Sequence, residues 1–207
     1  MSDRFLLREY YTFEPKLSLE ILTETVSKSE PLIIKNVLLQ RADAVNGNKR
    51  IYPREVLERE DKRYQETIAE KRAVGELDHP DSSIVSLDNG CHRIIETRWN
   101  GDDLVGDIEV LYRLTKGKQL LGYLQHKVPL GVSSRGVGSL QQSEDKSASV
   151  VGDDFEHVAY DIVSTPSTQG AFMAIKEHRT IGDIRKTNEE LLKHALHSIL
   201  GDNYWNI

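Results

Sequence analysis

The apolar positions along the chain fall into alternating and helical stretches. Residues 32–39 (LIIKNVLL) are rich in Ile, Val and Leu and predict a buried strand. Asn46-Gly47-Asn48 is a turn signal. Pro53 suits the first turn of a helix. Val56, Leu57, Tyr64 and Ile68 line one face of that helix, read over residues 53–71. Gly75 and Asp78-His79-Pro80-Asp81 read as loop. Residues 91–99 and 104–112 read as a hairpin joined by Asn100-Gly101-Asp102-Asp103. A second helix is predicted over residues 115–127, with Leu120, Leu121 and Leu124 buried. Residues 129–135 read as a short strand, 141–154 as a polar loop, and 155–164 as a strand ended by Pro166. Thr187 and Glu190 form a capping-box pattern for a last helix that stops at Gly201. Residues 1–30 scatter apolar side chains among Glu, Ser and Thr. They read as an N-terminal appendage, helical over residues 17–26, with regular structure beginning at Pro31. The pattern predicts a mixed α+β domain without internal repeats.

Composition narrows the function. A chain of 207 residues fits one domain. Lys+Arg number 27 against Asp+Glu 33, so the net charge of −6 argues against a general nucleic-acid binder. No apolar run approaches the ~20 residues of a membrane span, and the charged N-terminus is unlike a signal peptide. A single cysteine, Cys91, excludes an internal disulfide framework and fits a reducing compartment.

Three stretches carry candidate chemistry. Gly131-Val132-Ser133-Ser134-Arg135-Gly136 sets two hydroxyls between glycines at the end of an apolar strand. Neighbours in a strand point to opposite faces. Leu130, Val132 and Ser134 therefore share one face, taken as the core side, and Gly131, Ser133 and Arg135 share the other. Ser133 then projects where a substrate backbone can approach, although such a Ser-Ser pair is more commonly a plain turn. His79 stands before a proline, which holds it extended. An imidazole with a pKa of about 6.5 can take a proton from serine; a surface-loop histidine is the plainer reading. In residues 155–164, His157, Ala159, Asp161 and Val163 alternate with Val158, Tyr160 and Ile162. Asp161 thus sits in an apolar strand, where a carboxylate is costly unless paired. It can orient an imidazole, pair with an arginine such as Arg135, or face solvent. His157, expected on the same face, is its rival.

Other constellations are weaker. Cys91 and His92 are strand neighbours, so their side chains are expected to point apart, with Cys91 in the core. Glu190, His194 and His197 share one side of the last helix, and Asp78, His79 and Asp81 share one loop. Either set could ligate a metal, but no His-Glu-x-x-His pattern and no phosphate-cradling glycine loop is present.

Asn46-Gly47-Asn48-Lys49-Arg50-Ile51-Tyr52-Pro53, Gly75-Glu76-Leu77-Asp78-His79-Pro80, and the stretch from Pro129 through Ser133-Ser134-Arg135-Gly136 to Leu140 occur in that order. Together they resemble the prohead core proteases of T-even-type tailed phages. The segment from Asn100 to Gly106 resembles the hairpin of that family, and the likeness runs over residues 32–174. It implies a serine endopeptidase whose fold is similar to herpesvirus assemblin, a β-barrel core surrounded by helices. By motif it implies Ser133 as nucleophile, His79 as general base and Asp161, in Asp-x-Val-x-x-Pro-Ser, as third member. Herpesvirus proteases use a second histidine there, which keeps His157 as the alternative.

The resemblance also implies where and on what the protein acts. The expected setting is the interior of the phage prohead in the host cytoplasm. The expected substrates are scaffold and major capsid proteins, cut after Glu with an aliphatic residue two positions earlier. Self-cleavage is expected, with Leu22-Thr23-Glu24 and Ile68-Ala69-Glu70 as candidates, and residues 1–24 are expected to block the glutamate subsite. No cofactor, metal, nucleic acid or membrane is expected, and a homo-oligomer is left open. The corresponding division is a 1–30 appendage and candidate propeptide, a 31–180 protease domain, and a 181–207 C-terminal helix and tail. The competing readings are a non-catalytic capsid-interior or tail-tube-like protein and a metal-dependent hydrolase.

Overall fold

The structure, a computed structural model, describes residues 3–13, 18–78, 80–143 and 147–164. The predicted C-terminal helix, with Glu190, His194 and His197, lies outside the described residues. In chain order the elements are β1 (Arg4–Phe13), α1 (Leu19–Ser27), β2 (Leu32–Arg41), β3 (Arg50–Ile51), α2 (Arg54–Ala69) and β4 (Val74–Glu76). After these come β5 (Gly90–Asn100), β6 (Asp103–Val110), α3 (Thr115–Gln125), β7 (Leu130–Gln142), β8 (Ser149–Val151) and β9 (Glu156–Ser164). The α+β class agrees with the hydrophobic pattern.

Two sheets organise these elements. One runs β2-β6-β5-β4; the other runs β1-β7-β8-β3, with β9 on the second side of β7. They meet where Leu77 bridges Ile162 in parallel. Among the described residues the strands do not close into the expected barrel. Ile34, Leu39, Ile94, Ile108, Val132 and Ile162 form the main core. A second cluster gathers Leu7, Tyr52, Val56, Leu57, Val151 and Phe155. Helix α2 buries Val56, Leu57 and Tyr64, as its apolar spacing predicts, and each such side chain contributes about 1.5–3 kcal/mol.

Several expectations are corrected. Regular structure begins at Arg4, not at Pro31: β1 pairs antiparallel with β7 from Arg4↔Ser139 to Phe13↔Leu130. Gly75 lies in β4 rather than in a loop. The strand expected over 129–135 continues to Gln142 and is buried from Leu130 to Ser139. Its length is possible because Gly136 leaves room for Phe155: a Cβ there would stand 2.5 Å from the ring. β7 is also flanked on both sides, which a one-face alternation does not anticipate.

Candidate active site

Strand β7 fixes the site through its register. Ser133 stands directly opposite Asp161 of β9 and, on the other edge, opposite Tyr10 of β1. Directly paired residues put their side chains on one face, with Cβ atoms about 5 Å apart. Ser134 faces the other way, opposite Tyr160 and Glu9. Ser133 is 1% exposed. The face it shares with Asp161 is covered rather than open, unlike the approachable surface expected of it.

Asp161 lies at the centre of a buried charge network. Arg135 Nε donates to its Oδ2 at 2.8 Å and Nη2 to its Oδ1 at 3.2 Å. The backbone N–H of Glu76 donates to the same Oδ1 at 3.0 Å. Arg135 Nη2 also reaches Glu76 Oε1 at 2.8 Å, and Nη1 reaches the Ser82 carbonyl at 2.6 Å. Glu76 Oε1 accepts the Ser86 N–H at 2.9 Å as well. Arg135, Asp161 and Glu76 are all fully buried. Desolvating three charges is tolerable only with hydrogen bonding this dense. A carboxylate offers about four acceptor sites, and these three bonds fill most of them.

His79 lies outside the described residues; its neighbours do not. Asp78 has φ of 73° and donates its N–H to the Ile162 carbonyl at 2.7 Å. Asp81 is within 3.4 Å of Arg8 Nη1 from β1. Arg135 and Arg8 thus tie down the segment that follows His79 in sequence.

His157 is not on the face expected. The β7–β9 ladder shifts register between Arg135↔Ala159 and Gly136↔His157, leaving Val158 as the extra residue of a bulge. The imidazole therefore turns to the opposite face, 4.2 Å from the Tyr160 ring and 4.8 Å from that of Tyr64, centroid to centroid. Burial lowers its pKa to about 4.

Cys91 and His92 also depart from the expectation that they point apart. Cys91 Sγ lies 3.1 Å from His92 Nδ1, and His92 Nε2 lies 3.0 Å from the Tyr160 carbonyl oxygen. Cys91 is buried in the core, as expected. Burial pushes the thiol up and the imidazole down to about 4. Both are therefore neutral at pH 7, with Nε2–H donating to Tyr160 and the thiol to Nδ1. The bond to Tyr160 passes over Gly75, where a Cβ would sit 2.0 Å from that oxygen.

A second charged cluster escaped the sequence reading. Glu9 of β1 is 2% exposed. Its Oε1 accepts from Arg50 Nη1 at 2.8 Å and from the Tyr52 hydroxyl at 3.0 Å, and its Oε2 from Asn48 Nδ2 at 2.5 Å. Asn48 Nδ2 also donates to the Arg8 carbonyl at 2.9 Å. Asn46 Oδ1 organises the loop by accepting the N–H groups of Asn48 and Arg50. Arg50 and Tyr52 flank Ile51 at the two-residue strand β3, whereas Asn48 reaches them from the preceding turn, where Lys49 has φ of 56°, so strand alternation alone does not announce the cluster. Among the described residues no group of three or more His, Cys, Asp or Glu could hold a metal ion.

A serine set opposite a buried carboxylate, with a histidine next in sequence to a residue anchored beside it, is an arrangement suited to peptidases. Residues 15–182 match the family described as prohead core protein serine protease. The chain belongs to that family. It is 34% identical over 149 residues to the prohead core protein protease of Enterobacteria phage T4, covering 70% of this chain and 69% of that one. Its fold is similar to that of the bacteriophage T4 capsid assembly protease, gp21, with a TM-score of 0.63 and 27% identity. That match covers 79% of this chain and 99% of the solved one. The non-catalytic reading scatters the candidate residues in space, whereas Ser133 and Asp161 are cross-strand partners.

Proposed function

We propose that this protease is a serine endopeptidase of capsid maturation, acting on scaffold and capsid proteins inside the prohead in the host cytoplasm. Ser133 is the nucleophile, His79 the general base and Asp161 the group that orients the imidazole. The observation that carries this reading is the Ser133–Asp161 pair on one face, with the backbone of Asp78, one residue before His79, bonded to Ile162.

In this mechanism His79 takes the Ser133 hydroxyl proton as Oγ bonds to the scissile carbonyl carbon. The tetrahedral adduct collapses as the imidazolium returns that proton to the leaving amine. Water, deprotonated by the same imidazole, then releases the acyl group. Asp161 holds the imidazole tautomer and offsets its positive charge.

Cleavage after Glu, including self-cleavage, belongs to the same reading. Leu22-Thr23-Glu24, the first candidate from sequence, lies within α1 with Leu22 buried. Cutting there requires unwinding the helix. Leu7-Arg8-Glu9 has the same aliphatic-x-Glu form in an extended strand beside Ser133. This supports β1 as the self-cleaved segment and as the part of residues 1–24 that covers the site.

The test is co-expression with the scaffold protein, followed by gel and mass spectrometry. Wild type yields fragments ending in Glu, and Ser133→Ala yields none. Equal processing by both removes the serine mechanism.

A further inference from the structure

We infer that Asn48, Arg50 and Tyr52 form the subsite that selects an acidic side chain in the substrate, and that Glu9 of β1 occupies it in this structure. The inference rests on the serine-protease reading and goes on to name which residues read the substrate.

Strand β1 lies along one edge of β7. A peptide that adds to a sheet edge is held by main-chain bonds and read through pockets for alternate side chains. β1 occupies the edge of β7 that carries Ser133 and Ser134, with Glu9 opposite Ser134 and Tyr10 opposite Ser133. The Glu9–Tyr10 peptide bond is thus level with the nucleophile. Two alternate side chains of β1 enter built pockets. Leu7, 1% exposed, packs among Tyr52, Val56, Leu57, Val151 and Phe155. Glu9 enters the Arg50–Tyr52–Asn48 cradle, where both carboxylate oxygens are met by donors.

The chemistry of the cradle specifies its occupant. Arg50 is 3% exposed, and a guanidinium this deeply buried is costly without an anionic partner. A neutral glutamine would leave that charge uncompensated and turn an N–H₂ toward donors. A shorter aspartate would fall about one methylene short. Asn48 contacts both the carboxylate and the preceding carbonyl, so side chain and backbone are read together. The pattern selected is aliphatic, free position, glutamate. Arg8, at the free position, is the residue directed to Asp81 instead.

The experiment uses the full-length protein and two peptides alike except for Glu or Gln before the scissile bond. Wild type is expected to favour Glu by about 100-fold or more in kcat/KM, as for sites built around a buried polar contact. Arg50→Gln is expected to bring the ratio within about fivefold while the Gln peptide is still cut. Tyr52→Phe, which removes the hydroxyl that donates to Glu9 and keeps the ring, is expected to lower the ratio about tenfold. Folding of each variant is checked by circular dichroism; if Arg50→Gln does not fold, Tyr52→Phe decides. An unchanged Glu/Gln ratio in the folded variants overturns the subsite. Cleavage of either peptide by Ser133→Ala instead overturns the serine mechanism, whatever the ratio.

Discussion

Arg135 and Asp161 sit on adjacent strands, wholly out of solvent, with Nε 2.8 Å from Oδ2. The same guanidinium holds Glu76 and the Ser82 carbonyl. Arg135 is therefore the point where β7, β9 and the segment following His79 in sequence are joined. Arg135→Met strands two carboxylates in the interior and is expected to cost about 3–5 kcal/mol. Urea unfolding of the Ser133→Ala background, which avoids self-digestion, measures it. A loss below about 1 kcal/mol would show that the network carries little.

The two serines are separated by the pleat. Ser133 shares its face with Asp161, and Ser134 faces Tyr160. Ser134→Ala is expected to keep scaffold cleavage within about threefold of wild type, whereas removing the nucleophile costs about 10³-fold or more. Inactive Ser134→Ala alongside active Ser133→Ala would exchange their roles.

The third position separates in the same assay. Asp161→Asn is expected to reduce kcat by about 10²–10⁴-fold, with the orienting charge lost. His157→Ala should act through packing against Tyr64 and Tyr160, lowering stability while kcat of the folded enzyme holds. Loss of kcat in a stable His157→Ala protein would restore histidine to that role.

Gly75 is confined by the bond above it. A methyl group at this position meets the Tyr160 oxygen at 2.0 Å and His92 Cε1 at 2.3 Å. Gly75→Ala is expected to destabilise by at least ~2 kcal/mol, a fall in Tm of about 4–8 °C for a chain of this size. Differential scanning calorimetry on the Ser133→Ala background reads it, and an unchanged Tm contradicts the predicted clash.

His92 gives the acid dependence a sign. Its pKa is lowered to about 4 in the fold, against about 6.5 when unfolded. Above pH 6.5 neither state is protonated and the group contributes no slope. From pH 6.5 down to 4 the unfolded chain takes up a proton that the folded one refuses. Stability therefore falls by up to about 3 kcal/mol on this account. His157 carries a matching shift, so His92→Gln, which can still donate to Tyr160, is expected to remove about half of the slope the two imidazoles contribute there. Parallel curves for the two proteins would show that the imidazole does not titrate in this window.

The hydrophobic pattern made α2, α3 and the β5–β6 hairpin legible through their apolar faces, and β9 as an apolar run buried from Ala159 to Val163. It misread β1, whose Arg8 and Glu9 look like solvent positions. Both are buried because Asp81 and Arg50, distant in sequence, neutralise them. Strict alternation also misplaced His157, since one extra residue in a strand reverses every side chain beyond it. Ser133 and Asp161 could be proposed from residue type and face. That they are paired, and that Arg135 binds the carboxylate, depends on a strand register that only the folded chain defines.

β7 has strands along both edges, so a peptide that seeks Ser133 by strand pairing meets an incumbent. That incumbent is covalently tethered, and a tethered segment competes as though present at millimolar concentration. Peptides in free solution are cut only as far as they displace it, which lowers kcat/KM for the Glu and Gln peptides alike and leaves their ratio intact. Substrate chains packed to a comparable local concentration are expected to shift the exchange toward cutting.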